Sequence, residues 1–522
     1  MDLSYVMSSM IRCFNIIPNQ ILYGVLSVIF MGCIFESSSK DKAANNSKQL
    51  HYLVKLSQSP QALCEIQITL DIWPIQESIL FQMPTYYADN PKLPVNAFKA
   101  SQIQGWDSQN QSVVGHDTLL GSDTLSNHFV IFPKGTVKLK YFVDYDTNNT
   151  EQFGLPLPRL AAKTELIDGA YFFLLPYQGS NYASHWRNPL NIHLDFQMQA
   201  GMSFVGHPMS SDLVNNYELM FIKAVANPSQ QSSFTHNGRD VITYSTGIDT
   251  VDLQALNTAL KPCLKLVEDS LGTLPIGTYY VGTSPVFSGI EGDQGYWVMP
   301  YAIKDASVHT HELTHNFVGV HEGDLEDPWW KEGLTSYVGL LLALQGGLIV
   351  DSVFQKGLIG ELDSFPAVHN LSLRSPLLRN HLFPALDTAY AYPDEKEGYN
   401  YLVYVKGGQA AMILDRYILE KSKGKYSIYT LIRDLYRNYH PAFSQQNFQT
   451  LINQYAGTSS EAFVNDLLNN RGAFSLDSLN NTFAALHRLH RFEPGLKALA
   501  KQASVGRDLK VTSFIHPIRG KY

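Results

Sequence analysis

The chain has 522 residues and a formal net charge of −8, with 39 Lys plus Arg against 47 Asp plus Glu. That length holds about two to four domains and several cores. Hydrophobic residues make up 45% and charged residues 16%, an ordinary globular balance with aromatics somewhat high at 12%. The acidic excess offers no basic patch, so nucleic acid is excluded as an expected partner.

The N-terminus reads as an export signal rather than as part of the fold. Residues 16–35 are almost uncharged and mostly apolar, with Arg12 before them and the polar run 36–48 behind. The apolar core ends in Phe30-Met31-Gly32-Cys33. This layout resembles a bacterial lipoprotein signal, which implies lipidation at Cys33, a signal or anchor over 1–33 and a flexible tether over 34–49. A cleaved secretory peptide and an uncleaved anchor helix remain the alternatives, because so short a run also fits a spanning helix. Met10 is an alternative start. The implied location is the bacterial cell envelope, with the membrane as a partner through a lipid or anchor. Behind the leader only Cys64 and Cys263 remain, and two cysteines make no disulfide framework.

Residues 50–226 have strand character. Residues 64–72 alternate with period two, as do 137–143 after the Pro133-Lys134-Gly135 turn signal, and 191–196 form another such run. Turns rich in Asn, Gly, Pro and Ser separate them, which predicts an antiparallel β-sandwich. Residues 227–240 are polar and read as a linker. A strand–helix pattern follows. Leu253, Leu256, Leu260 and Leu264 recur at helical spacing within 251–271, and 278–282 reads as a strand leading to the Gly-rich loop Ser288-Gly289-Ile290-Glu291-Gly292.

His311-Glu312-Leu313-Thr314-His315 is the most informative stretch. No proline interrupts 306–320, and Asp305 can start a helix there. On a helix, residues four apart stack on one face, so two imidazoles can share one Zn²⁺. Glu312 is then placed to act on a metal-bound water rather than to ligate. Catalytic zinc takes three protein ligands and keeps a fourth position open. Glu332, in a helix expected to run from Trp329 to about Leu344, is one candidate for the third ligand. His321, Glu322, Asp324 and Glu326 in the intervening loop are its rivals, held less firmly than a helical side chain. Further on, Tyr404-Val405-Lys406-Gly407-Gly408 offers a phenol beside Tyr401, Tyr399 and Tyr392. A phenol is a neutral donor that can point at developing negative charge. Helices are expected over 407–421, 427–436, 446–455 and 460–468, within a helical domain at 346–480 followed by a tail at 481–522.

His311-Glu312-Leu313-Thr314-His315 followed by Trp329-Trp330-Lys331-Glu332-Gly333-Leu334-Thr335-Ser336-Tyr337 resembles the gluzincins, thermolysin-like zinc peptidases. The short spacing and the Glu-Gly-x-Thr-Ser-Tyr form are most similar to the glycyl aminopeptidase family, with the aminopeptidase N family a close relative. The resemblance implies a multidomain α+β architecture: the β-sandwich, a thermolysin-like catalytic domain over 241–345, and a helical C-terminal region. It extends to the segment Gln82-Met83-Pro84-Thr85-Tyr86-Tyr87 of the sandwich. It implies one Zn²⁺ held by His311, His315 and Glu332, with Glu312 and Tyr404 catalytic and Tyr404 stabilising the oxyanion. It implies that Gly289 and Glu291 bind substrate, Glu291 pairing with the free amino terminus of a peptide. A carboxylate in that place favours an aminopeptidase. Gly292 departs from the family, which usually has histidine there. The stretch after Arg471 is about fifty residues, too few for the C-terminal PDZ domain that many members carry. A zinc endopeptidase, an epoxide hydrolase and a non-enzymatic envelope binding protein with a relic site are the competing readings.

Overall fold

The computed structural model describes residues 49–56, 63–72, 78–82, 86–87, 90–94, 98–120, 127–145, 165–169, 173–177, 190–213, 218–219, 222–245, 251–274, 277–283, 290–292, 294–318, 329–358, 372–374, 401–439 and 444–490.

The first half builds sheets. Strands β1 (Gln49–Leu56), β2 (Leu63–Ile72), β3 (Phe98–Asp107), β4 (Thr136–Tyr145), β5 (Asn191–Met198) and β6 (Ser210–Leu213) form a seven-stranded sheet with Ser112–Val113. Its order is β6-β5-β1-β2-β4-β3 and then Ser112–Val113. Period-two patterning sets the faces. Leu50, Tyr52, Val54 and Leu56 of β1 point inward with Ile66, Ile68 and Leu70 of β2 and Ile192, Leu194 and Phe196 of β5. Phe81, Val130 and Phe132, from a four-stranded sheet, and Val205, Ala224 and Val225, from a three-stranded one, complete this core. Two buried phenols are satisfied on one backbone unit: Tyr52 donates to the Leu174 carbonyl at 2.8 Å, and the Leu174 amide donates to Tyr141 at 3.1 Å.

Among the described strands, the sandwich departs from the expected antiparallel pattern at one pairing. β1 runs parallel to β5, with His51 opposite His193. A hairpin forces antiparallel neighbours, but these strands are far apart in sequence and no turn dictates their relative direction.

The polar stretch expected as a linker is instead structural. Strands β7 (Gln230–His236) and β8 (Arg239–Ser245) form a hairpin that opens a five-stranded sheet with β9 (Tyr279–Thr283), β10 (Ile290–Gly292) and β11 (Gly295–Val298), ordered β7-β8-β9-β11-β10. β7 is an edge strand, so its Gln, Ser and Thr side chains leave one side to solvent while its backbone pairs with β8. β8, β9 and β11 run parallel, and β10 returns antiparallel along the other edge. Tyr244 and Trp297 of this sheet lie in the sandwich core, and the Trp297 indole donates to the Tyr244 hydroxyl at 2.6 Å.

The opposite side is covered by helix α1 (Leu253–Leu271), which starts the helical part of the chain. It is followed by α2 (Ala306–Thr314), α3 (Thr335–Gln345), α4 (Asp351–Leu358), α5 (Gly407–Lys421), α6 (Ile428–Tyr439), α7 (Gln445–Ala456), α8 (Glu461–Asn469) and α9 (Leu476–Leu489). One apolar core runs through all of them, from Val241 to Leu486. Helix α9 continues past residue 480, where a tail was expected. Leu479, Phe483 and Leu486 are buried at helical spacing along it. Among the described residues no helix is long and apolar enough to cross a membrane.

Candidate metal centre

Helix α2 carries the first two candidate ligands. Asp305 caps it, its side chain accepting from the Ser307 amide at 3.0 Å, and the helix ends at Thr314 with His315 as C-cap. The helix fills only part of the proline-free stretch, and a tight turn through Val318 follows, closed by bonds such as Val318 N to Thr314 O at 3.2 Å. The histidines still lie on one face. His311 Nε2 and His315 Nε2 are 3.0 Å apart and the rings meet edge to face.

Glu332 comes from a π-helical turn, Trp329–Leu334, that runs directly into α3. Its Oε2 is 3.6 Å from both histidine Nε2 atoms. All three residues are buried, at 3%, 1% and 7% exposure for His311, His315 and Glu332. Zinc bonds of 2.0–2.1 Å in tetrahedral geometry space ligands about 3.3 Å apart. Edges of 3.0, 3.6 and 3.6 Å bracket that spacing, so the residues present fit a zinc ion.

The histidine tautomers agree with this. His315 Nδ1 lies 3.1 Å from the Val318 carbonyl, which can only accept, so Nδ1 carries the proton and the neutral ring's lone pair sits on Nε2. His311 Nδ1 is 3.4 Å from the Ser336 hydroxyl of α3. Burial pushes the Glu332 carboxyl up, but His315, His311 and Lys331 beside it more than offset this and hold it well below the usual carboxylate range. Lys331 Nζ is 3.6 Å from Glu332 Oε1. The site therefore sets a carboxylate beside two imidazole rings.

Glu312 is 2% exposed, and its Oε1 is 4.0 Å from His311 Nε2. The carboxylate expected to act on water is thus beside the ligand cluster. Tyr404 sits on a second π-helical turn, Tyr401–Lys406, that precedes α5, and its ring stacks on His311 with centroids 6.2 Å apart. Glu291 lies on β10, the sheet edge, opposite Tyr296 of β11. Gly289, Cys33, the loop rivals His321, Glu322, Asp324 and Glu326, and the neighbouring Tyr392 and Tyr399 lie outside the described residues.

Several supporting residues carry no obvious chemical signal in the sequence. A Cβ at Gly333 would stand 2.6 Å from the Gly407 Cα and from the Val403 carbonyl oxygen. The first π-helical turn thus packs through Gly333 on Val403 of the second turn and on Gly407 at the start of α5, which is how Glu332 and Tyr404 come to the same place. A Cβ at Gly339 would stand 2.8 Å from the His311 amide nitrogen, and Thr310 Oγ1 donates to the Gly339 carbonyl at 2.7 Å. These contacts lock α2 against α3. His309, on the other side of α2, is a core histidine: its Nε2 donates to the Ile303 carbonyl at 2.8 Å and its Nδ1 accepts from the Tyr296 hydroxyl at 2.5 Å. The Glu-Gly and Lys-Gly pairs of the two motifs were the available signal for the glycine contact.

No family model matches the sequence, and no curated protein matches it. Solved structures do match the fold. An aminopeptidase N family protein from Idiomarina loihiensis superposes with a TM-score of 0.60 at 13% identity, over 83% of this chain and 78% of that one. An M1 zinc metallopeptidase from Deinococcus radiodurans gives 0.46 at 15% identity, over 82% and 94%. A mutant of the latter bound to a Tyr-Ser-Ala substrate gives 0.48 at 14%, over 82% and 95%. By the first of these matches, the chain has the fold of that aminopeptidase N family protein over most of its length.

Proposed function

We propose that the chain is a zinc-dependent aminopeptidase that removes N-terminal residues from peptides. The observation that carries this reading is the buried triangle of His311, His315 and Glu332 with Glu312 and Tyr404 against it. Zinc held there would polarise the scissile carbonyl and supply a water of lowered pKa. The carboxylate of Glu312 takes a proton from the attacking water and returns it to the leaving nitrogen. The hydroxyl of Tyr404 donates to the oxygen that gains charge as the carbonyl carbon becomes tetrahedral. Glu291 pairs with the protonated amino terminus of the substrate, which puts the scissile bond one residue from the chain end. The position of Glu291 on an edge strand supports this role, since an edge leaves backbone groups that an extended peptide can pair with.

Matched peptides with free and with acetylated amino termini test the exopeptidase part. The reading predicts hydrolysis of the free peptide only, and a Glu291→Gln variant that loses most of that preference through KM. Equal cleavage of both peptides, or internal cleavage of the acetylated one, would make the chain an endopeptidase on the same zinc site.

A further inference from the structure

A second cluster of metal-ligating side chains lies on the outer face of the sandwich, away from the site above. The parallel register of β1 and β5 sets His51 directly opposite His193, and Asp195 is two residues further along the same face of β5. The inward residues of these strands, Leu50, Tyr52, Leu194 and Phe196, are core. The outward ones are consequently a histidine pair and a carboxylate on rigid sheet rather than on a loop.

Their polar atoms converge. His51 Nε2 is 2.9 Å and His193 Nε2 3.3 Å from the same oxygen, Asp195 Oδ2. Ligand atoms of all three residues lie within 4.8 Å of one another. The two shorter edges match the roughly 3.3 Å spacing of a tetrahedral ion with bonds near 2.0–2.1 Å. The other ring nitrogen of His193 is also engaged: Nδ1 lies 2.6 Å from Asp212 Oδ1 on β6. A carboxylate accepts, so this bond puts a proton on Nδ1 and leaves Nε2 as the nitrogen that faces Asp195. Such a carboxylate behind a histidine is the arrangement that orients imidazole ligands at metal sites. Ser210 of β6 hydrogen-bonds to Asp195 and helps to hold it in place.

We propose that His51, His193 and Asp195 form a second metal site, for a divalent first-row transition ion such as zinc, with Asp212 as the residue that orients His193. Two imidazoles and one carboxylate suit zinc, nickel or copper and not calcium or magnesium, which take oxygen ligands. The three side chains are between about a third and a half exposed, so water completes the coordination shell. An ion here clamps β1 to β5 across the pairing that no hairpin enforces, and its effect is on the sandwich rather than on the chemistry.

The test counts bound zinc on the full chain, with Zn²⁺ alone as the probe, after removal of metal and retitration with a slight excess. His51→Ala is expected to bind one ion fewer than wild type, to hydrolyse peptides as wild type does, and to lose a zinc-induced rise in Tm. His193→Ala should behave alike, which guards against a folding defect peculiar to one variant. A His311→Ala/His315→Ala chain is expected to retain one ion, and to lose it when His51→Ala is added. This separates the sandwich site from the buried one, whichever of the two fails. A zinc count unchanged by both His51→Ala and His193→Ala overturns the proposal.

Discussion

At the scale of single residues, the candidate centre depends on which nitrogen each imidazole turns inward. The Val318 carbonyl fixes this for His315, and the Ser336 hydroxyl lies at the outer nitrogen of His311. Neither partner stands out in the sequence: one is a backbone atom, and the other belongs to a motif whose resemblance assigns it no role. The ligands themselves were legible, because the i, i+4 spacing of His311 and His315 follows from helix geometry alone. Glu332 needed the family resemblance, since the loop held four other candidate ligands. Tyr404, stacked on His311, is the donor proposed for the oxyanion. Tyr404→Phe removes only the hydroxyl, so kcat is expected to fall on the order of 10²–10³-fold with KM and zinc content little changed. Steady-state kinetics on a free-amine peptide would show it, and a rate within a few-fold of wild type would assign the donor to another residue.

At the scale of elements, the site is an arrangement of helix ends. Glu332 and Tyr404 both stand on π-helical turns, and both turns lead into the α-helices that carry the core. The sequence predicts an ordinary helix from Trp329. A π-helical turn has no period of its own in six residues, and it forms here where Gly333 is pressed on Gly407. That contact also explains why the two motifs each hold a glycine at that place. Gly333→Ala would drive a methyl group into the Gly407 backbone. We expect a loss on the order of 1–3 kcal/mol in stability, from overpacking, together with weaker zinc retention. Denaturant unfolding and metal competition measure the two effects, and an unchanged Gly333→Ala protein would show that the turns do not need their close approach.

At the scale of the whole molecule, sheets and helices share two cores, with the five-stranded sheet contributing to both. The broad α+β order was legible from periodicity. The hairpin of β7 and β8 was not, because an edge strand is held by backbone pairing and can be polar on its side chains. Lys406 ties the second π-helical turn to the C-terminal helices, its Nζ donating to the Asn470 carbonyl at 2.8 Å. Burial pushes its ammonium down to about 8 from an ordinary 10.5. The folded chain thus binds fewer protons than the unfolded one between those values. The lysine's burial costs stability below pH 8, and this cost is relieved as pH rises from 8 toward 10.5. Relative to Lys406→Met, wild type should gain up to about 3 kcal/mol between pH 7 and pH 10. Unfolding curves for both proteins at the two pH values test this, and parallel shifts would refute it.

In the proposed mechanism His311, His315 and Glu332 hold zinc while Glu312 moves the proton. Glu312→Gln keeps the shape of the side chain and removes its basicity. The decisive measurement is therefore hydrolysis of a free-amine peptide by Glu312→Gln protein whose zinc content equals that of wild type. Glu312→Gln is expected to lose at least about 10²-fold in kcat with zinc retained. Turnover at the wild-type rate would contradict that mechanism.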